Sequence, residues 1–537
     1  AVVLAITVVL AVPVGSASGK VEPTRGTFAT AQDLAPSKGG PAGSPRGYLP
    51  LNAPEFTAAK ARANANAKGS GGGGGKPSGG SGATVTSYAN VAPSFNGIFQ
   101  TGGTPPDTTG AAGPDRYIEA INTSYSIYTK TGSQLNTGSL SSLTGISGGI
   151  FGYSLSDPQM MWDAGTQRFY YTAVFYDAFL TNMGLAVGWS KTAAPASSSD
   201  FCKYTIGFGP DLPDYPKLGD SQAFLMVGYN VFPNGGPTST GSEFTTVNKP
   251  PSGSACADPS QFAVHFSPTL HNADSSFAAT PVPANLVDDG NGAGYVVANA
   301  DLTTVSSANY ASIWSITTGS PDGNGIPTPA ISGPVTATVA SYSMPADAPQ
   351  KGSTYLLDTI DGRFEAAVAA TDPGQGNVTA LWTAHAVFGG AGAEERWYEF
   401  NPATGAVLQN GTVGDPSLYT WNGAVSPDRA NGSFGDSMAM SVNTSSSTTY
   451  PAMQIVWKRG ANAQSPMNNL VQATAPNVDF SCSSTDACRW GDYSGASPDP
   501  AATGTVGRVW LANQYNLAAG RSSTAWRTWI AGVIPQP

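Results

Sequence analysis

C-R-W-G-D-Y-S-G-A-S-P-D-P, residues Cys488–Pro500, is the stretch whose reading decides the fold. A loop ending in Arg489-Trp490 meets Gly491 and a carboxylate, Asp492, and then a run of small and apolar residues that breaks at Pro498-Asp499-Pro500. A second strand, 507–513, follows. The same order returns upstream: Leu218-Gly219-Asp220-Ser221 precedes 223–231, and Phe434-Gly435-Asp436-Ser437 precedes 438–442. Asp436 and Asp492 are 56 residues apart. An imperfect, strand-rich, glycine-bounded repeat of that length is the pattern of propeller blades.

Aligning the carboxylates that open such modules gives Asp107, Asp157, Asp220, Asp289, Asp361, Asp436 and Asp492, with gaps of 50, 63, 69, 72, 75 and 56 residues. The expectation is an all-β chain, a β-propeller of seven blades with four antiparallel strands each. Moving the two middle assignments would give six or eight. The 65 glycines and 42 prolines exclude long helices, and the aromatic and β-branched content favours strands.

Period-two alternation marks strands at 116–128, 168–175, 363–370, 378–387, 396–400, 450–458, 508–515 and 524–533. The turn Asn401-Pro402-Ala403-Thr404-Gly405 makes a hairpin. Pairing of 84–91 with the C-terminal strands would close the ring and remove the open edge.

The flanking sequence is of another kind. Residues 1–18 combine an apolar run with Gly15-Ser16-Ala17-Ser18, as in a signal peptide whose basic n-region is clipped. Some 14 apolar residues are too few to span a bilayer. Residues 19–83, with the G-S-G-G-G-G-G run at 69–75, read as a disordered linker, and 84–537 as the propeller domain. A short helix at 58–67 would have nothing obvious to pack against.

Four cysteines suit an exported chain, and pairing Cys482 with the nearby Cys488 leaves Cys202 for Cys256. The net charge of −10 and absence of a Lys/Arg cluster argue against nucleic acid and anionic membranes. A secreted, extracellular monomer without a membrane span is expected.

Several stretches resemble a known family. P-P-D-T-T-G-A-A-G-P-D-R-Y-I-E-A-I-N (105–122), S-D-P-Q-M-M-W-D-A-G-T-Q-R-F-Y-Y (156–171), D-Y-P-K-L-G-D (214–220), R-W-Y-E-F (396–400) and R-W-G-D-Y-S-G-A-S-P-D-P (489–500) are similar to a family of secreted bacterial β-propeller proteins. Its members are loosely labelled sialidase-like and its activity is unsettled. The resemblance covers residue 95 to the end and implies a fold rather than a function.

The chemistry follows from where inner strands begin. Carboxylates gathered at one channel face must be neutralised by protons, by Arg/Lys or by a cation. Asp107, Asp220, Asp436 and Asp492 are the candidates for acid/base work on a glycoside or for holding Ca²⁺. The bland alternative is that each Asp caps its own turn.

Lys217 and Arg489 would hold an anionic group, and Trp490 or Tyr493 a sugar ring, with Trp421 a further stacking candidate. Asp288-Asp289-Gly290-Asn291-Gly292 and Asp322-Gly323-Asn324-Gly325 are oxygen-rich loops that suit Ca²⁺ or simple turns. Arg363, Arg396 and Arg489, with Tyr493 and Glu365, would be needed for sialidase chemistry. The Ser-x-Asp-x-Gly-x-x-Trp box of that superfamily is missing.

His265, His271 and His385 form no motif, and His385 reads as a core residue. The leading expectation is therefore a carbohydrate-active propeller acting on or binding an extracellular polysaccharide or cell-surface polymer, as a glycoside hydrolase or lyase if catalytic. The alternative is a non-catalytic adhesion or protein-interaction propeller.

Overall fold

The computed structural model describes residues 20–37, 51–67, 83–99, 103–146, 152–250, 256–288, 290–429, 435–483, 487–503, 506–519 and 523–537. Seven antiparallel sheets follow one another along the chain as the blades of a β-propeller. Their inner strands are Thr109–Ala112, Ser154–Asp163, Asp211–Asp220, Ala278–Pro283, Ala367–Asp372, Tyr419–Pro427 and Gly495–Pro498, for blades 1 to 7.

Inner strands of successive blades neighbour one another around a common axis, except at the step from blade 4 to blade 5, where Asn285–Leu286 pairs beside the inner strand of blade 5, and that of blade 7 returns to that of blade 1. Crowding there explains the small residues: a Cβ on Gly495 would lie 2.9 Å from the Gly110 amide. Large side chains fill the spaces between blades instead. Trp189, Trp382, Trp397, Trp421, Trp490 and Trp510 are all fully buried.

The ring closes through Val91–Phe99, which pairs antiparallel with Ser523–Val533 as the outer strand of blade 7. The sequence placed closure at 84–91. Of that stretch, Thr84–Val85 instead adds an outer strand to blade 6 through Asn468–Gln472. Phe28–Thr30 likewise extends blade 2, and Asn285–Leu286 joins the inner edge of blade 5 in parallel.

The run read as one strand at 116–128 is a hairpin, Arg116–Ile121 and Ser124–Thr129, folded at Asn122-Thr123. The hairpin at 401–405 forms as expected, joining Glu394–Asn401 to Ala406–Val413. Both disulfides form as paired from sequence, Cys202–Cys256 at 2.09 Å and Cys482–Cys488 at 2.03 Å.

Two parts of the stretch read as linker, 20–37 and 51–67, have described structure on the propeller. Ala53–Asn66 is an α-helix, favoured by alanine, by Pro54 in its first turn and by Glu55 at its positive end. It does have packing partners, contrary to expectation: Ala59 and Ala63 join the buried cluster that contains Leu357 and Phe364. The apolar run at 1–18, the glycine run at 69–75 and Asp289 lie outside the described residues. Among the described residues, no helix is long and apolar enough to cross a membrane.

Candidate functional site at the channel mouth

Four of the seven inner strands share a device that re-aims their side chains. Their ladders skip two residues at Asp157-Pro158, Tyr215-Pro216, Thr280-Pro281 and Asn422-Gly423. The first residue of each pair is left-handed, with φ of 52°, 56°, 48° and 56°. Asp107 and Ile360, ahead of the inner strands of blades 1 and 5, share that conformation at 49° and 50°. Bulges of this kind re-aim side chains. Left-handed non-glycine residues cost about 1–3 kcal/mol each and persist only where the surroundings over-determine them. Asp and Asn tolerate the conformation, whereas Tyr215, Thr280 and Ile360 are held in it by the fold.

Near the strand starts this brings together residues from several blades. Oδ1 of Asp107 accepts from the Asp492 amide at 2.8 Å, and Oδ2 accepts from Asn122 Nδ2 at 2.5 Å. Asn122 Oδ1 in turn accepts from the Asp157 amide at 2.7 Å. Arg489 Nη2 donates to both oxygens of Asp492, at 2.5 and 2.6 Å. Tyr215 donates to the Asp492 carbonyl at 2.6 Å, and Tyr493 to the Pro158 carbonyl at 2.9 Å.

Lys217 Nζ lies 4.0 Å from the Tyr215 ring centre and 3.5 Å from that of Tyr493. Among the described residues no acceptor reaches it, and both oxygens of the buried Glu365 are likewise unbonded. Lys217 and Glu365 line the narrow space along the axis with Gln159, Asn285 and Ser494.

Burial sets the proton affinities here. It pushes Asp107 up to about 7, with the neighbouring Asp492 adding to the rise and Arg489 opposing it. Burial and the approach of Asp214 raise Asp157 well above the carboxylate range. Glu365 is raised well above its usual value by burial and then by Glu395. Burial lowers the Lys217 ammonium to about 7, although Glu365, Asp107 and Asp492 favour its charge. A carboxyl group whose proton affinity lies near neutrality thus accepts from the backbone amide of Asp492, the residue whose carboxylate Arg489 binds.

The four proposed acidic residues do not form one group. Asp107 and Asp492 meet at the strand starts. Asp220 is the last residue of its inner strand, five positions beyond Tyr215 and therefore roughly 16 Å further along the channel. There Lys249 Nζ bridges Asp220 at 2.7 Å and Asp163 at 3.1 Å, and the Leu286 amide binds the other Asp220 oxygen. Burial raises Asp220 to about 7 despite Lys249. These residues line a cavity of about 460 Å³ with Gln222 and Asp288.

Asp436 belongs to the hairpin that leaves the inner strand of blade 6, where Ser437 Oγ donates to it at 2.9 Å. Asp372, Asp428 and Asp499 similarly end inner strands and accept from the amides of Gly374, Gly435 and Ala501. The turn-capping alternative describes this far ring well.

Other candidates fall elsewhere. Trp490 is a correction to the expected sugar platform: it is 1% exposed, meets Trp421 edge-on at 5.9 Å and donates to Asn443 at 2.8 Å. Both rings are spent on packing between blades. Tyr493 is buried as well: Lys217 Nζ covers one face of its ring and Tyr215 meets it in a T-shaped contact at 5.7 Å, so it offers no open face for a sugar to stack on.

The three arginines do not all converge: the Arg363 guanidinium lies over the Tyr215 ring at 4.5 Å, on the same tyrosine that bonds the Asp492 carbonyl, and Arg396 lies apart. Arg363 is bound to Asp361, while Arg396 on the third strand of blade 5 binds Glu394 and the Ser341 carbonyl. His385 is a core residue, bonded to the Gly362 carbonyl and Tyr398, and burial lowers it to about 3. Asp322 accepts from the amides of Asn324 and Ile326 in a simple turn, and Asp288 pairs with Arg429 at 2.7 Å. Among the described residues no three Asp, Glu, His or Cys side chains gather within metal-binding reach.

Sequence reasoning missed Asn122, Asp214 and Tyr215. For Tyr215 the signal was present: a Pro or Gly after a Tyr, Thr, Asn or Asp inside a strand marks the axial bulge in D-P, Y-P, T-P and N-G alike.

The fold and this mouth define a seven-bladed β-propeller with an acidic axial cluster. No protein family matches the chain, and no curated protein matches it. Among solved structures it is similar to the Trypanosoma rangeli sialidase bound to an inhibitor, at 10% identity and a TM-score of 0.33 over 71% of this chain and 56% of that one. The chain therefore spans little more than half of that sialidase. It is also similar to the parainfluenza virus 5 hemagglutinin-neuraminidase, at 10% identity and a TM-score of 0.34 over 71% and 95% of the two chains. The Fusarium graminearum α-L-arabinofuranosidase gives 10% identity and a TM-score of 0.33 over 82% and 98%.

Proposed function

We propose that the protein is a carbohydrate-active propeller that takes a glycan of an extracellular polysaccharide at the strand-start mouth of its channel, as a glycoside hydrolase. The observation that carries this reading is the Asp107–Asp492 pair. Asp107 keeps its proton to about 7, whereas Arg489 binds both oxygens of Asp492. Two carboxyl groups in such different surroundings divide the work of acid and partner carboxylate.

In this reading Asp107 gives its proton to the glycosidic oxygen as the bond to the anomeric carbon breaks. Asp492 faces that carbon or the water that attacks it. Lys217 and Arg489 hold an acidic substituent of the sugar. The two disulfides suit work in an oxidising, extracellular setting.

The competing reading is a non-catalytic interaction platform, and one observation favours it: Asp107, Asp157 and Asp492 are each at most 1% exposed. A panel of neutral and acidic polysaccharides, assayed for new reducing ends and for the ultraviolet absorbance of an unsaturated product, separates the readings. Reducing ends lost in Asp492→Asn support the hydrolase, and an unsaturated product makes it a lyase. Binding without any product supports the platform.

A further inference from the structure

The burial of the mouth has a specific source in this chain. Helix Ala53–Asn66 sits over it, and Phe56 packs against Tyr215, Ile360 and Tyr493, two of which flank Lys217. Next along the helix, Lys60 enters a cleft between blades 4 and 5. Its Nζ lies 3.0 Å from Asp347 Oδ1 and 3.9 Å from Asp358, and it donates to the Pro345 carbonyl at 3.1 Å and to Thr359 at 2.7 Å. One turn further, Asn64 donates to Asp347 Oδ2 at 2.9 Å and accepts from the Asp347 amide at 2.7 Å.

This contact is built differently from the core. The helix is held by the buried Ala59, Lys60 and Ala63, by Phe56 and by the two Asn64–Asp347 bonds, so polar groups share its anchor with apolar ones. Lys60 and Asp347 are themselves buried, so removing either partner leaves an uncompensated buried charge and favours release of the helix.

The same anchor is wired to the acid pair. Asp358, which receives Lys60, also lies 3.7 Å from Arg489 Nε, and Arg489 grips Asp492. An unbroken chain of opposite charges therefore runs from the helix through Asp358 and Arg489 to Asp492. Twenty-four residues, 67–90, separate the helix from the strand that closes the ring, Val91–Phe99.

We propose that helix 53–66 is an intrachain plug: seated, it closes the mouth with Phe56 and ties Asp358 to Lys60, and lifted, it opens the mouth and releases Asp358 to Arg489. What enters the open mouth rests on the glycan reading above, but the plug itself is testable without a glycan. The probe is reductive methylation of Lys217 in the full chain at neutral pH, read by peptide mass spectrometry. Hydrogen exchange of 53–66 reports whether the helix is seated.

The comparison is between the native chain, Phe56→Ala/Lys60→Ala and Asp347→Asn, the last keeping every helix residue should the double variant fold poorly. The expected result is protection of Lys217 in the native chain and labelling at least ~10-fold faster in both variants, as local opening exposes it. Equal protection of Lys217 in variants whose helix amides exchange freely overturns the plug. Fast labelling with no product from any polysaccharide supports the plug and removes the hydrolase reading. Slow labelling with full hydrolysis does the reverse.

Discussion

The amide of Asp492 donates to Oδ1 of Asp107 across 2.8 Å, joining the approach to the last blade with the approach to the first. Ring closure and the candidate acid are therefore built into one hydrogen bond. Asp107 takes its second bond from Asn122, at the turn of the blade 1 hairpin, and Asn122 also caps the Asp157 amide. Asn122→Ala leaves a buried carboxyl oxygen and a buried amide without partners. It should destabilise the protein by about 2–5 kcal/mol, measured by chemical denaturation. A cost under about 0.5 kcal/mol would show that this network does not organise the mouth.

Stability should fall as pH rises from about 4 to 7. Burial holds Asp107, Asp220 and Glu119 at about 7, above the usual carboxylate range. Between the unfolded and folded values the native state binds more protons than the unfolded chain, so raising pH favours unfolding. Lys217, lowered to about 7, acts in the opposite sense only above that pH. A melting temperature higher at pH 5 than at pH 7.5, with a shallower slope in Asp107→Asn, is the expected result. Differential scanning fluorimetry across that range checks it.

Closure depends on Val91–Phe99 rather than on the residues before it. A chain beginning at Thr84 should remain monomeric and cooperatively folded. One beginning at 103 would leave the edge of Ser523–Val533 open and should aggregate. Size-exclusion chromatography of the two truncations distinguishes the cases.

Trp490 serves the core, where its indole N–H reaches Asn443 at 2.8 Å. Trp490→Phe keeps an aromatic ring but removes that bond. It should cost about 1–3 kcal/mol in stability while leaving glycan affinity within about twofold. A large loss of affinity at unchanged stability would place the ring in the binding site.

The architecture was legible in the sequence because strand alternation and glycine-bounded turns are local. Strand Val378–Val387 falls where the period of two put it. The repeat was legible too, but its alignment mixed two features. Asp107 and Asp492 sit where inner strands begin, whereas Asp220 and Asp436 sit where they end, and a Gly-Asp pair precedes the chain turn in both settings.

Separating them needs the strand boundary, which the bulges at Tyr215 and Asn422 shift by two residues. Trp490 misled for a related reason: it adjoins a loop in sequence, yet the loop folds back between blades and buries it. Asn122 was hidden inside a run that reads as one long strand, because a two-residue hairpin turn barely interrupts alternation.

The central claim is that chemistry occurs at the strand-start mouth and not at the opposite end. Asp107→Asn and Asp220→Asn, assayed side by side for reducing ends from the same polysaccharide, test it most directly. Loss of the general acid should lower the rate by ~10²–10⁴-fold in Asp107→Asn, with Asp220→Asn within a few-fold of native once folding is matched. An active Asp107→Asn beside an inactive Asp220→Asn would contradict the account and move the site to the cavity at Asp163 and Lys249.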